Sequence, residues 1–234
     1  MKPIFIVDTN SYIYLSQYSF PLANQDFYLI NCLDDAATVR WSRAVSYEVN
    51  KHYEKLGNSQ EHQPQNSILR NNRELRTKRF SEEEYETKLF GESYEIGEKD
   101  KGEKDNLLLA IDLFVHQNKR CLVLLTDDEK AKQGALRNVL CAFPSFTVLN
   151  SFDAVLFLYV CLHKKYFTFS IAEDAFRTIN AYLVNLMRRP HEQKFDRNEI
   201  SNDEYAEKMQ KITEKSRVRF VEYIKRLRVV NSTI

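Results

Sequence analysis

Residues 121–128, CLVLLTDD, carry the reading on which the fold depends. An unbroken apolar run that ends in a threonine and two acids describes a strand covered on both faces and stopping at a polar edge. The N-terminus repeats the pattern, because PIFIV at 3–7 runs directly into Asp8, Thr9 and Asn10. TVRWS at 38–42 and FTVLN at 146–150 are further strand candidates. Helical stretches lie between them. Ser46 is placed to cap a helix that opens at SYEV, and EKAKQGALRNVLCAF follows the acids at 127 and 128. DNLLLAIDLFVHQ offers an apolar face at Leu107, Leu108, Ala110, Ile111, Phe114 and Val115. SYIYLSQY at 11–18 reads as helix or loop, and QDFYLINCL at 25–33 as helix or mixed. Strands alternating with helices predict a parallel α/β sheet covered on both faces.

Outside this frame the composition changes twice. From 57 to 101 apolar residues thin out into mixed charge (RNNRELRTKRFSEEEYETK), which reads as a solvated helical insertion. From 153 to 234 the pattern is wholly helical, with three helices expected. The expected organisation is therefore a domain over 1–152 interrupted by the insertion at 57–101, and a helical C-terminal extension over 153–234.

Composition excludes several classes. The chain has 234 residues, 43% of them hydrophobic and 29% charged, which suits a globular protein rather than a disordered one. Its 34 basic and 33 acidic side chains leave a formal charge of +1, so no uniformly basic coat exists for nucleic acid. No apolar run approaches the ~20 residues that span a bilayer, and Asp8 interrupts the only N-terminal one, so a cytoplasmic protein with no membrane partner is expected. Cys32, Cys121, Cys141 and Cys161 are far apart and three sit in apolar runs, which predicts buried free thiols rather than a zinc site. His116, His163 and His191 show no ligand spacing, and no nucleophile, phosphate-loop or dinucleotide motif occurs.

What remains is a set of acids. In an open parallel sheet the carboxyl ends of the strands share one edge, where ligands bind. If the strands bearing Asp8 and Asp127 are neighbours, the two carboxylates meet there. Glu48 and Asp105, each near a helix N-terminus, can reach the same edge. Two carboxylates about 5 Å apart repel by roughly 3 kcal/mol at an effective dielectric of 20. Such a cluster takes up protons or recruits a cation, and hard oxygen donors favour Mg2+ or Mn2+. Phosphodiester hydrolysis is the natural chemistry of such a centre. Each acid also has a plainer reading: Asp8 and the Asp127–Asp128 pair are common helix-capping types, and Asp105 suits a helix dipole.

The order IVDTN, SYEV, GEKDNLLLAIDL, LLTDD resembles the PIN-domain family of metal-dependent ribonucleases over residues 1 to about 150. The resemblance implies a three-layer α/β/α sandwich with a parallel five-stranded sheet and an endoribonuclease activity. It makes Asp8, Glu48, Asp105 and Asp127 both the metal-binding and the catalytic acids, with Asn10 supporting the first. Glu103 competes with Asp105 for the third place, and Asp128 with Asp127 for the fourth. The resemblance also implies an RNA substrate and a role as toxin, defence effector or RNA-processing enzyme, with an inhibitory partner protein in the toxin-like case; a homodimer is a further candidate. The alternatives are an inactive PIN-like module that binds RNA or protein, and a haloacid-dehalogenase-type phosphatase. The phosphatase needs a second acid where this chain has Asn10.

A basic stretch completes the reading. Between Lys211 and Arg228, seven Lys/Arg face two glutamates. Arg217, Arg219, Lys225, Arg226 and Arg228 are candidate phosphate contacts, with Phe220 and Tyr223 available to stack on bases or pack inward. Val218, Val221, Ile224 and Leu227 are expected to form the docking stripe of that helix.

Overall fold

In the computed structural model, which describes residues 2–55, 101–115, 121–128 and 146–234, the two acid-ended strands are direct neighbours. β1 (Ile4–Val7) pairs in parallel with β5 (Leu122–Leu125), Val7 standing opposite Leu125. β4 (Thr38–Arg40) flanks β1 and β6 (Phe146–Leu149) flanks β5, both parallel, giving the order β4-β1-β5-β6. The two central strands are the uninterrupted apolar ones because each is covered on both faces; every residue of β5 is buried. The described residues thus hold a four-stranded parallel sheet in an α/β arrangement with seven helices. The insertion at 57–101, apart from its last residue, lies outside them, as do the expected helix at 129–143, His116 and Cys141.

The chain divides into two units, residues 1–16 with 30–154, and residues 17–29 with 155–234. The division falls two residues beyond the expected 152/153 boundary and assigns an early segment to the C-terminal unit.

In the first unit α1 (Thr9–Leu15) follows β1, and α2 (Leu29–Ala36) leads to β4. α3 (Arg43–Lys55) begins earlier than Ser46. Ser42 is its cap, its Oγ accepting from Val45 N at 3.4 Å, while Ser46 lies buried in the helix and accepts from Trp41 Nε1 at 2.9 Å. α4 (Lys101–Val115) buries Leu107 to Ile111 without a break, so it is an interior helix rather than an amphipathic one. Leu109, Ile111 and Leu113 pack with Ile6, Leu122, Leu124 and Phe146 of the sheet.

The second unit opens with a hairpin absent from the sequence reading, β2 (Ser19–Leu22) against β3 (Gln25–Tyr28). Ala23 and Asn24 both have positive φ, the two-residue turn whose twist suits a hairpin. Phe20 packs against Phe27, Tyr166 and Phe167 at ring separations near 6 Å. α5 (Ser151–Leu162), α6 (Phe169–Asp196) and α7 (Asn202–Thr233) are the three expected C-terminal helices. α6 and α7 run antiparallel, with Phe176 on Tyr223 and Arg188 bonded to Thr213. Among the described residues no helix is long and apolar enough to cross a membrane. The thiols depart from expectation: Cys32 is buried, but Cys121 at the entry to β5 and Cys161 at the end of α5 are exposed.

Candidate functional site

Asp8 is both a cap and an edge carboxylate. Its backbone N–H donates to Leu125 O at 3.0 Å, extending the β1–β5 ladder by one bond. Its side chain caps α1 by accepting from Thr9 N at 2.8 Å, and its other oxygen accepts from Thr126 Oγ1 at 3.3 Å. Burial pushes its pKa up from 3.8 to about 6, and the charges of Glu48 and Asp127 push the same way. The bonds from Thr9 N–H and Thr126 oppose them and lose.

Glu48 and Asp127 are the two acids whose charges reach this carboxyl. Glu48 stands in the second turn of α3 rather than the first, because the helix starts at Arg43. Its carboxylate accepts from Thr9 Oγ1 and from Gly102 N at 3.3 Å. Asp127 accepts from Ser11 Oγ at 2.7 Å, from Ser151 Oγ, and from Ser151 N at 3.2 Å. Acids from three separate segments are therefore tied to one sheet edge by hydroxyls of α1 (Thr9, Ser11), of the residue after β5 (Thr126), and of the start of α5 (Ser151).

Asp105 is half-buried in the second turn of α4, not at its opening. Its neighbour Asn106 locks that helix to the edge: Nδ2 donates to Val7 O and Oδ1 accepts from Ser42 N, both at 2.9 Å. Glu103 belongs to the first turn, and its side chain lies outside the described set. Asn10 is exposed, so the contacts to the acids come from Thr9 and Ser11 on either side of it. Asp128 is half-buried, and its N–H donates to Thr126 Oγ1 at 3.2 Å.

Sequence reasoning missed Ser11, Gly102, Asn106 and Ser151. A hydroxyl or glycine that acts across a long stretch of chain has no periodic signature. Only Gly102 gave a hint, as a glycine that weakens the start of an apolar helix. A Cβ at Gly102 would sit 2.8 Å from Glu48 Oε2 and 3.1 Å from Oε1, so only glycine lets the carboxylate reach the helix backbone. Gly102→Ala is expected to swing Glu48 away and lower the Asp8 pKa part of the way from about 6, burial remaining the larger cause. Carbon-detected NMR titration of the Asp8 carboxyl checks this; an unmoved titration would show that Glu48 keeps its place.

The donor set is oxygen throughout, and the Asp8 pKa, raised mainly by burial and further by the charges of Glu48 and Asp127, marks a carboxyl whose ionised form a cation would favour, so donor type and charge fit Mg2+ or Mn2+. Among the described residues no group of three or more His, Cys, Asp or Glu is arranged to hold a metal ion as it stands.

The basic candidates lie on α7 in the second unit. The buried face of that helix is Ser216, Tyr223, Ile224 and Leu227, which leaves Val218 and Val221 exposed and corrects the expected stripe. Tyr223 packs inward, with the Arg226 guanidinium 4.9 Å from its ring centre, so it is not a free stacking platform. Arg226 pairs with Glu222, and Arg217 lies 4.0 Å from Glu214. Arg219 is half-buried, and Lys225 and Arg228 are exposed.

Comparison with known proteins returned no matching family model, no matching curated protein and no matching solved structure.

Proposed function

We propose that this chain is a PIN-like, divalent-metal-dependent endoribonuclease acting in the cytoplasm. What supports the reading is one observation: at the carboxyl edge of adjacent parallel strands the charges of Glu48 and Asp127 both reach the Asp8 carboxyl, adding to the burial that raises its pKa to about 6. Asp8, Glu48, Asp105 and Asp127 are the side chains that would hold Mg2+ or Mn2+. The bound ion would supply an activated water and positive charge against the phosphate of an RNA backbone. The remaining parts are the chain's own. Thr9 and Gly102 orient Glu48, Ser11 and Ser151 orient Asp127, and Thr126 orients Asp8. A toxin or defence role under an inhibitory partner protein belongs to the same reading.

A specific feature favours a second reading, an inactive PIN-like module that binds RNA or protein. Three donor groups converge on Asp127, among them both the N–H and the hydroxyl of the first residue of α5, as they would on a purely structural carboxylate.

Incubation of a mixed RNA pool with Mn2+ separates the two. The native chain is expected to cut, and Asp8→Asn to cut at least about 100-fold more slowly with no loss of melting temperature. Mapping the new ends gives the cleavage preference. Retained RNA binding without cleavage by the native chain would hand the site to the second reading.

A further inference from the structure

The outward face of α7 carries a pattern that its fold does not use. Ser216, Tyr223, Ile224 and Leu227 face inward, and the side opposite them at 100° per residue carries Lys211, Glu214, Val218, Val221, Lys225 and Val229. These six recur at intervals of three and four residues, the spacing of a coiled-coil seam. Val218, Val221 and Val229 are 58%, 42% and 65% exposed, and they make up three of the six large exposed hydrophobics among the described residues.

We infer that this seam is the contact between two copies of the chain, with the two α7 helices antiparallel about a two-fold axis that passes between Val218 and Val221. In that register Val218 meets the partner's Val221 and the reverse, so the apolar pair closes on itself, as a two-fold contact requires. The charges select the same arrangement. Glu214 falls opposite the partner's Lys225, and on one flank Glu222 lies near the partner's Lys215; set against these is one like-charge pair, Lys211 opposite the partner's Arg228. A parallel pair would instead set Glu214 against Glu214 and Lys225 against Lys225, which is repulsive. Glu214 and Glu222 already have partners on their own helix, Arg217 and Arg226, but these pairs are half or more exposed on both sides and hold little energy against a cross-chain exchange. Valine also suits the role, because its χ1 is nearly fixed in a helix and little freedom is lost on contact. The inference is independent of the carboxylate site.

Sedimentation of the full chain between about 1 and 100 µM tests it. A monomer–dimer equilibrium that weakens with salt is expected. Val218→Glu should raise the dissociation constant by at least about tenfold, and Lys225→Glu by a similar factor. The double variant Glu214→Lys/Lys225→Glu restores opposite charges in both copies and should return to within about threefold of the native value. Melting temperature at concentrations where the native chain is monomeric should stay level throughout, since all three positions are outside the buried face. A native chain that stays monomeric at the highest concentration overturns the proposal, and so does a double variant no better than Lys225→Glu. A monomer whose RNA affinity falls in Val218→Glu overturns it too, and gives this face to nucleic acid.

Discussion

Asp8→Asn is expected to raise the stability of the metal-free chain at about pH 7.5 by roughly 1–3 kcal/mol, and to flatten its pH dependence between about pH 4 and 6. The sign follows from the direction of the pKa change. Folding moves the carboxyl from 3.8 up to about 6, so within that window the folded state binds more proton than the unfolded one. Stability is therefore highest, as far as Asp8 is concerned, below pH 3.8 and is lost as pH rises through about 6. Above that the ionised group costs up to about 3 kcal/mol, since each tenfold change in proton affinity is worth about 1.36 kcal/mol. Asparagine has the same shape, still accepts from Thr9 N as a cap, and cannot ionise. Urea unfolding followed at Trp41, the single tryptophan and buried in the first unit, measures the change at several pH values. A loss of more than about 1 kcal/mol would mean that the charged cap and the Thr126 bond outweigh burial and repulsion.

The opposite outcome is expected one helix away. Asn106→Leu keeps the volume but leaves Val7 O and Ser42 N without their partners in a buried place. An unpaired buried backbone group costs about 1–3 kcal/mol, so a destabilisation of roughly 3 kcal/mol is expected. Asn106→Asp should be at least as damaging, because a carboxylate can still accept from Ser42 N but faces Val7 O with no proton to give and adds charge beside Asp8. The same Trp41 signal reads both variants. A cost below about 1 kcal/mol for Asn106→Leu would show that water or a shift of α4 replaces both bonds.

The parts of this molecule that were legible from the chain are those where burial writes a period. β1 and β5 fell within a residue of expectation, because central parallel strands are apolar without interruption and here end in turn-forming acids, and the edge strand β6 fell as close, bounded by Asn150. The adjacency of Asp8 and Asp127 needed only the assumption that those strands pair. The hairpin was not legible: SFPL contains a proline, its turn uses Ala23 with positive φ, and the passage from β3 into α2 occurs inside the apolar run FYLI with no breaker. The inward face of α7 was misread for another reason. Valines at 218 and 221 and the larger residues at 223, 224 and 227 make two apolar stripes on one helix, and the bulkier one packs. At the site, Asp8 and Asp127 stood out by their positions after strands, whereas Thr9, Ser11, Asn106 and Ser151 act across gaps of up to 116 residues with nothing local to mark them, and Gly102 shows only as a glycine in a helix start.

The hairpin at 17–29 changes how the chain is assembled. Because it belongs with residues 155–234, the backbone passes between the units three times, after 16, after 29 and after 154. During synthesis Phe20 and Phe27 leave the ribosome early, while Tyr166 and Phe167, which complete their aromatic cluster, follow about 140 residues later. The nascent N-terminal half thus carries a greasy, unfinished hairpin through most of translation. A fragment cut after residue 154 would keep that burden permanently, so the natural unit for expression is the uncut polypeptide.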